Sequence, residues 1–299
     1  MQPNTPGLLV TVLVSFFLHL NCHGQTFRAN AVHQKGVPNL LFADDLSDGG
    51  LHWNNWFSKN ETEFYYTIQE NGRSFIVKRA VHANGLGPLQ KIPFNQDYNY
   101  SHPWVSEDGT HMIFQASIPH PDGGRQDFNI WESFLGESGW SEPVLFSKAT
   151  STRRHEGAPI LSKSGNLYFN ITNESNGNAD LYVLLEGRNK ANKLPTSINS
   201  KSFEGDFFID QDETFLIFSS YDRSGAIGQS DLYVSFNDSG NWSKAVSLGS
   251  KINSSWQEFS PFVTTDGKYL IFTSNRLSGN GLRPTFDHYI VNFDIDHFR

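Results

Sequence analysis

Five times along the chain, an alternating run of apolar positions breaks at a short polar turn and then resumes. Trp56-Phe57-Ser58-Lys59-Asn60 leads to Phe64-Tyr65-Tyr66-Thr67, and Trp104-Val105-Ser106-Glu107-Asp108-Gly109 leads to Met112-Ile113-Phe114-Gln115. Ile160-Leu161-Ser162-Lys163-Ser164-Gly165 precedes Leu167-Tyr168-Phe169-Asn170, and Phe208-Ile209-Asp210-Gln211-Asp212 precedes Leu216-Ile217-Phe218-Ser219. The fifth copy is Phe262-Val263-Thr264-Thr265-Asp266-Gly267, then Leu270-Ile271-Phe272-Thr273. An Asp-Gly or Ser-Gly pair between two apolar runs supplies the positive φ of a tight hairpin, so each copy predicts two antiparallel strands, A and B. With Ser58, Ser106, Ser162, Asp210 and Thr264 as reference positions, the spacings are 48, 56, 48 and 54 residues, the span of a four-stranded propeller blade.

The rest of each period supplies the other two strands. A third strand reads Asp127-Phe128-Asn129-Ile130-Trp131, Asp180-Leu181-Tyr182-Val183, Asp231-Leu232-Tyr233-Val234 and Asp287-His288-Tyr289-Ile290, with Arg73 to Val77 in the first blade. A fourth reads Trp140 to Leu145 and Trp242 to Leu248, with weaker versions at Pro88 to Ile92 and Lys193 to Ile198. After Phe293 too little chain remains for a fourth strand in the last blade, while Leu40 to Ala43 precedes the first blade without a hairpin of its own. A strand from each end of the chain then completes one sheet and removes an exposed edge. The expectation is an all-β, five-bladed β-propeller in a single domain, residues 25–299, whose last blade is closed by the N-terminal strand.

Composition agrees with this pattern. The 25 Phe, 10 Tyr and 7 Trp suit strands, and the 25 Gly and 13 Pro suit turns. A formal charge of −8 argues against a general phosphate-binding surface, so nucleic acid is not an expected partner. The one long apolar run, Leu8 to Leu20, is 13 residues, short for a bilayer span and suited to a signal-peptide core. Residues 1–24 are therefore read as a signal peptide, with Cys22-His23-Gly24 before Gln25, although the segment before the run holds no Lys or Arg. A second reading makes Cys22 the lipidated residue of a lipoprotein. Both readings imply export, to the periplasm or beyond, with no transmembrane helix in the mature chain; a third makes the run a buried N-terminal strand or helix, and the protein is expected to be a monomer.

The stretch Trp242-Ser243-Lys244, Ile252-Asn253, Glu258-Phe259-Ser260-Pro261 and Asp266 to Arg276 resembles the WD40-like, TolB-type (PD40) β-propeller repeat of exported bacterial proteins. The likeness covers nearly all of Pro38 to Phe293. It implies the propeller fold and leaves the function open, because propellers carry enzymes and binding modules alike.

If the A–B turns lie on one face, the starts of strand A and the ends of strand B lie on the other. Six residues before the reference positions stand His52, Tyr100, Glu156, Glu204 and Glu258, with His102, Arg154 and His155 close by. The B-to-C loops add His120, Glu174, Tyr221, Arg223 and Arg276. For Glu204, Glu258, Arg223 and Arg276 the plainer reading is scaffold, as backbone anchors and inter-blade ion pairs. His52, His102 and His155 are not called for by the repeat, whereas His111 sits by the opposite face. The sequence holds no phosphate loop, no zinc-type cysteine spacing and no serine-nucleophile elbow.

The main functional reading is β-elimination on an acidic, uronic-acid-containing oligosaccharide, as in the propeller polysaccharide lyases that this architecture looks like, or as in a dehydratase. In that reading His52, His102 or His155 is the base and Tyr100 or Tyr221 the acid. Arg154, Arg223 and Arg276 hold the carboxylate, and Glu156, Glu204 and Glu258 contribute to substrate binding. The first alternative is a non-catalytic propeller that binds a protein or glycan. The second is a five-bladed glycoside hydrolase, with carboxylates across the channel. A divalent metal is left open, because imidazoles with carboxylates form a mixed ligand set but lack a diagnostic spacing.

Overall fold

The computed structural model describes residues 36–46, 49–123, 126–173, 177–276 and 285–299. The leader, Cys22 and Glu174 lie outside them. Five antiparallel sheets form a ring. Their A strands are His52–Ser58, Tyr100–Val105, His155–Leu161, Phe203–Ile209 and Glu258–Val263, and these lie against one another around the centre. The B strands are Glu63–Glu70, His111–Ala116, Leu167–Thr172, Phe215–Tyr221 and Tyr269–Ser274, followed outward by Arg73–His82, Asn129–Gly136, Ala179–Leu184, Ser230–Asp238 and Asp287–Asn292.

The expected closure is present. Asn39 and Leu40 pair with Ile290 and Tyr289 of the last sheet, and the Leu41 amide donates to the His288 carbonyl at 2.8 Å. The expected strand ran to Ala43. The observed one stops earlier because Phe42 turns the chain at φ 52°, after which Ala43–Leu46 forms one helical turn. A further link across the seam joins blades one and five, where Thr265 donates from its amide (2.8 Å) and its hydroxyl (3.0 Å) to buried Glu61.

Burial explains why the hairpins recur. At the same place in strand B each blade carries one large ring, Tyr66, Phe114, Phe169, Phe218 or Phe272, none more than 1% exposed. Each is worth roughly 1.5–3 kcal/mol when taken fully out of water. The Trp-Ser steps tie down the outer edges in two blades. Ser141 Oγ accepts from the Phe134 amide, and Ser243 Oγ from the Phe236 amide.

One irregularity decides the site. Every A strand slips register by one residue against its B strand, between Trp53 and Trp56, Ser101 and Trp104, Gly157 and Ile160, Gly205 and Phe207, and Phe259 and Phe262. This is a β-bulge repeated five times, and an extra residue in one strand re-aims the side chains beyond it. The extra residues stand four before the reference positions: Asn54, His102, Ala158, Asp206 and Ser260. Four of them have positive φ, Asn54 at 66°, His102 at 54°, Ala158 at 49° and Ser260 at 47°. The strain belongs to the repeat, since Ala158 carries it as well as the polar residues do.

Candidate functional site

The bulge residues meet in the central channel. His102 Nε2 lies 3.0 Å from Asp206 Oδ1, a pair formed by blades two and four across the axis. Ser260 Oγ donates to Asp206 Oδ2 at 2.5 Å, and Asn54 Nδ2 donates to Ser260 Oγ at 3.2 Å. Thr67 Oγ1 and the His102 amide donate to Asn54 Oδ1, at 2.9 and 3.1 Å. The result is a polar plug from four blades. Ala158 of the third blade brings no polar side chain to it, and a small void of about 30 Å³ remains among these residues.

Above the plug, on the face away from the A–B turns, a cavity of about 330 Å³ opens. Its walls are aromatic, formed by Trp53, Phe203, Tyr221, Phe259 and Phe286, and Gln69 and Gln257 add polar edges. Phe203 meets Tyr221 edge to face at 5.4 Å, and Phe259 meets Phe286 likewise at 5.0 Å. His102 and Asp206 lie in the lining, with side chains 15% and 17% exposed. Burial alone raises a carboxyl's pKa, but the His102 imidazole and the hydrogen bonds from His102 and Ser260 outweigh it and hold Asp206 below its ordinary value. Tyr221 moves the other way, to about 12, through burial first and the Asp206 charge second. The cavity thus pairs an ionised carboxylate with a phenol that keeps its proton.

Of the residues singled out from sequence, His102 and Tyr221 share this cavity. His52 is buried against Tyr66, ring centroids 5.8 Å apart, and neighbours His288. Tyr100 is buried between Phe94 and Phe114, and burial carries its pKa to about 12. His155 packs beside Phe128 and accepts that residue's amide at Nδ1, 3.2 Å, while Arg154 is exposed. Neither lines the cavity.

Glu156, Glu204 and Glu258 are fully buried and bind the chain four residues back. Thr152, Ser200 and Ser254 each donate an amide and a hydroxyl to them. Arg223 lies 3.5 Å from Glu204 and Arg276 lies 3.0 Å from Glu258. Both guanidiniums also donate to carbonyls, those of Ile198 and Ile252, and cover the rings of Phe218 and Phe272. Among the described residues Glu156 makes no ion pair with an arginine, and the nearby Arg154 charge is only a minor counterweight. Burial, chiefly, carries its pKa to about 7.

The bulge accounts for these placements. Counting in twos from the reference position brings the residue six back onto the channel side, but the extra residue rotates that position into the body of the blade. The positions five and four back face the axis instead. Asp206, Ser260, Asn54 and Trp53 were missed for this reason. A signal was available, because Pro103, Pro159 and Pro261 each follow a bulge residue, and proline inside a strand marks a bulge or an edge. Among the described residues no three His, Cys, Asp or Glu side chains are grouped as a metal centre, and no helix is long and apolar enough to cross a membrane.

No family model matches the chain, and no curated protein matches its sequence. Solved structures do match in shape. TolB from Acinetobacter baumannii superimposes with a TM-score of 0.51 at 13% identity, over 82% of this chain and 55% of that one, so this chain spans little more than half its length. A thermostable family-43 glycoside hydrolase gives 0.52 at 11% identity, over 88% and 91% of the two chains. An endo-arabinase from Bacteroides thetaiotaomicron gives 0.51 at 16% identity, over 84% and 96%. At these identities the likeness shows the fold, a five-bladed β-propeller.

Proposed function

We propose that the protein is a carbohydrate-active propeller that takes a neutral glycan into the channel mouth and hydrolyses it there, with Asp206 as the central carboxylate. The observation that carries this reading is the mouth itself: five aromatic rings around a cavity of about 330 Å³, with an ionised carboxylate in its lining and a polar plug below. Aromatic walls suit the apolar faces of sugar rings, and a few placed polar groups fix orientation. Asp206 would stabilise the positive charge that develops on a glycosyl carbon or activate water, and Tyr221 would supply a proton-bearing group on the same wall.

Elimination from a uronate fits this cavity less well. Its charge clamp was to come from Arg154, Arg223 or Arg276; Arg154 is exposed and outside the cavity lining, and the guanidiniums of the other two are engaged with Glu204, Glu258 and main-chain carbonyls. A uronate carboxylate would also meet the like charge of Asp206. Size and shape further support the hydrolase reading, since the chain matches most of the family-43 glycoside hydrolase and of the endo-arabinase, and the name of the latter points to arabinose-containing glycans as first probes.

The test is to incubate the purified full chain with arabino-oligosaccharides and, separately, polygalacturonate. Release of reducing ends from the first, lost in Asp206→Asn but with binding retained, supports hydrolysis at this site. Saturable quenching of tryptophan fluorescence without turnover, abolished in Trp53→Ala, would leave the binding module, which the same ring-lined mouth favours as the second reading. Appearance of an unsaturated uronate from polygalacturonate would return the site to elimination.

A further inference from the structure

The channel has a second cavity, on the other side of the plug. It opens among the A–B turns, measures about 350 Å³, and is distinct from the glycan mouth in both lining and chemistry. Its walls are Trp56, Trp104, Phe208 and Phe262, four residues that stand two before the reference positions in their blades. These positions lie between the bulge and the turn, where plain alternation from the reference position already faces them to the channel. The rings are set at angles around the space. Trp56 meets Phe262 edge to face at 5.4 Å and lies tilted by 48° to Trp104 at 6.1 Å, while Phe208 meets Phe262 at 5.6 Å and 75°.

The rim is acidic. Glu107, Asp210 and Asp212 belong to the lining, which among the described residues contains no Lys, Arg or His. Asp212 has an exposed cation beside it, Lys163 at 3.2 Å. Among the described residues Glu107 and Asp210 have only neutral donors, the Asn60 amide at 2.6 Å and the Thr214 hydroxyl at 2.7 Å. Ile295, from the C-terminal 3₁₀ turn Ile295–Phe298, adds an apolar edge.

We infer that this cavity binds an organic ammonium ion, a cationic head on an apolar body. Ring faces attract a cation through their quadrupole, and carboxylates at the rim add a longer-range field of the same sign preference. A space of this size holds a small-molecule ligand. An anion would be repelled by the rim, and a neutral apolar molecule would forgo both attractions. The inference stands apart from the glycan reading, since none of its residues lines the mouth.

The experiment uses benzyltrimethylammonium as the probe and neopentylbenzene, the uncharged compound of the same shape, as its control. Calorimetry or tryptophan fluorescence on the full chain follows each. Saturable binding of the cation is expected, roughly tenfold or more tighter than the neutral control. Glu107→Gln with Asp210→Asn should weaken it by roughly 5- to 30-fold. Phe208→Leu, which keeps an apolar side chain while removing a ring, should weaken it as well, with circular dichroism confirming the fold. Asp122→Asn removes an exposed carboxylate of a B-to-C loop and should leave binding unchanged. The inference is overturned by equal binding of the two compounds, by no saturation at millimolar concentration, or by an Asp122→Asn effect as large as that of the rim variant.

Discussion

At the scale of single residues, the two carboxyls that matter most respond to pH in opposite directions. Glu156 is fully buried, its Oε2 has no hydrogen-bond partner among the described residues, and its pKa in the fold is about 7 against an ordinary 4.5. A carboxyl raised on folding binds more protons in the native state, so stability falls as pH climbs from about 4.5 to about 7. The shift corresponds to roughly 3 kcal/mol. Glu156→Gln should flatten that slope, and urea unfolding of both proteins at pH 5 and pH 8 measures it; parallel losses in the two would show that another group is responsible. Asp206 has the reverse sign. Its pKa is held below the ordinary 3.8, so its contribution is present at neutral pH and fades as acid protonates it. Asp206→Asn should keep the fold at pH 7 and lower any glycan turnover by roughly 100- to 10,000-fold, the usual weight of a positioned acid or base. Full activity in that variant would move the chemistry elsewhere.

At the scale of elements, the repeated bulge is the device that builds the polar plug and the mouth above it. It needs room beside it, and in blade four that room comes from Gly205, where a Cβ would lie 2.3 Å from the Phe203 ring. Gly205→Ala should push Phe203 out of the mouth wall, at a stability cost of about 1–3 kcal/mol, and weaken glycan binding with it. Thermal melts and fluorescence titration of one preparation check both effects, and a variant that loses stability with unchanged affinity would take Phe203 out of the binding wall. Ala158 offers the converse change. Its φ of 49° is unfavourable for a residue with a Cβ, so Ala158→Gly should be neutral to stabilising by up to about 1 kcal/mol by equilibrium denaturation. A clear loss there would mean that the alanine methyl has packing value exceeding the strain.

At the scale of the whole molecule, the ring is held shut by the short pairing of Asn39 and Leu40 with the last blade, by Glu61 with Thr265, and by Arg79 with Asp45 at 3.0 Å. Removing residues 36–44 exposes the edge of Asp287–Asn292, so the truncated protein should aggregate or melt at lower temperature. A cooperative melt at the unchanged temperature, in a monomer by light scattering, would show that the closing strand is dispensable. The same closure brings Asn54 to Ser260 and sets the polar plug, so truncation should also disturb the mouth.

The local parts of this protein were written in its sequence. A hairpin depends on neighbours within a few residues, so alternation and Asp-Gly or Ser-Gly turns sufficed to place the blades, and counting strands revealed the shared last sheet. His102 and Tyr221 could be named because the topology sends strand-A starts and strand-B ends to one face. The direction of each side chain could not be read in the same way. A one-residue bulge reverses the alternation, so His52 and Tyr100 turned into the blades while Asp206 and Ser260 turned to the axis. The His102–Asp206 pair spans 104 positions of sequence and two blades that are not neighbours in the ring. Only closure of the ring, a property of all five sheets together, brings those two side chains within 3.0 Å.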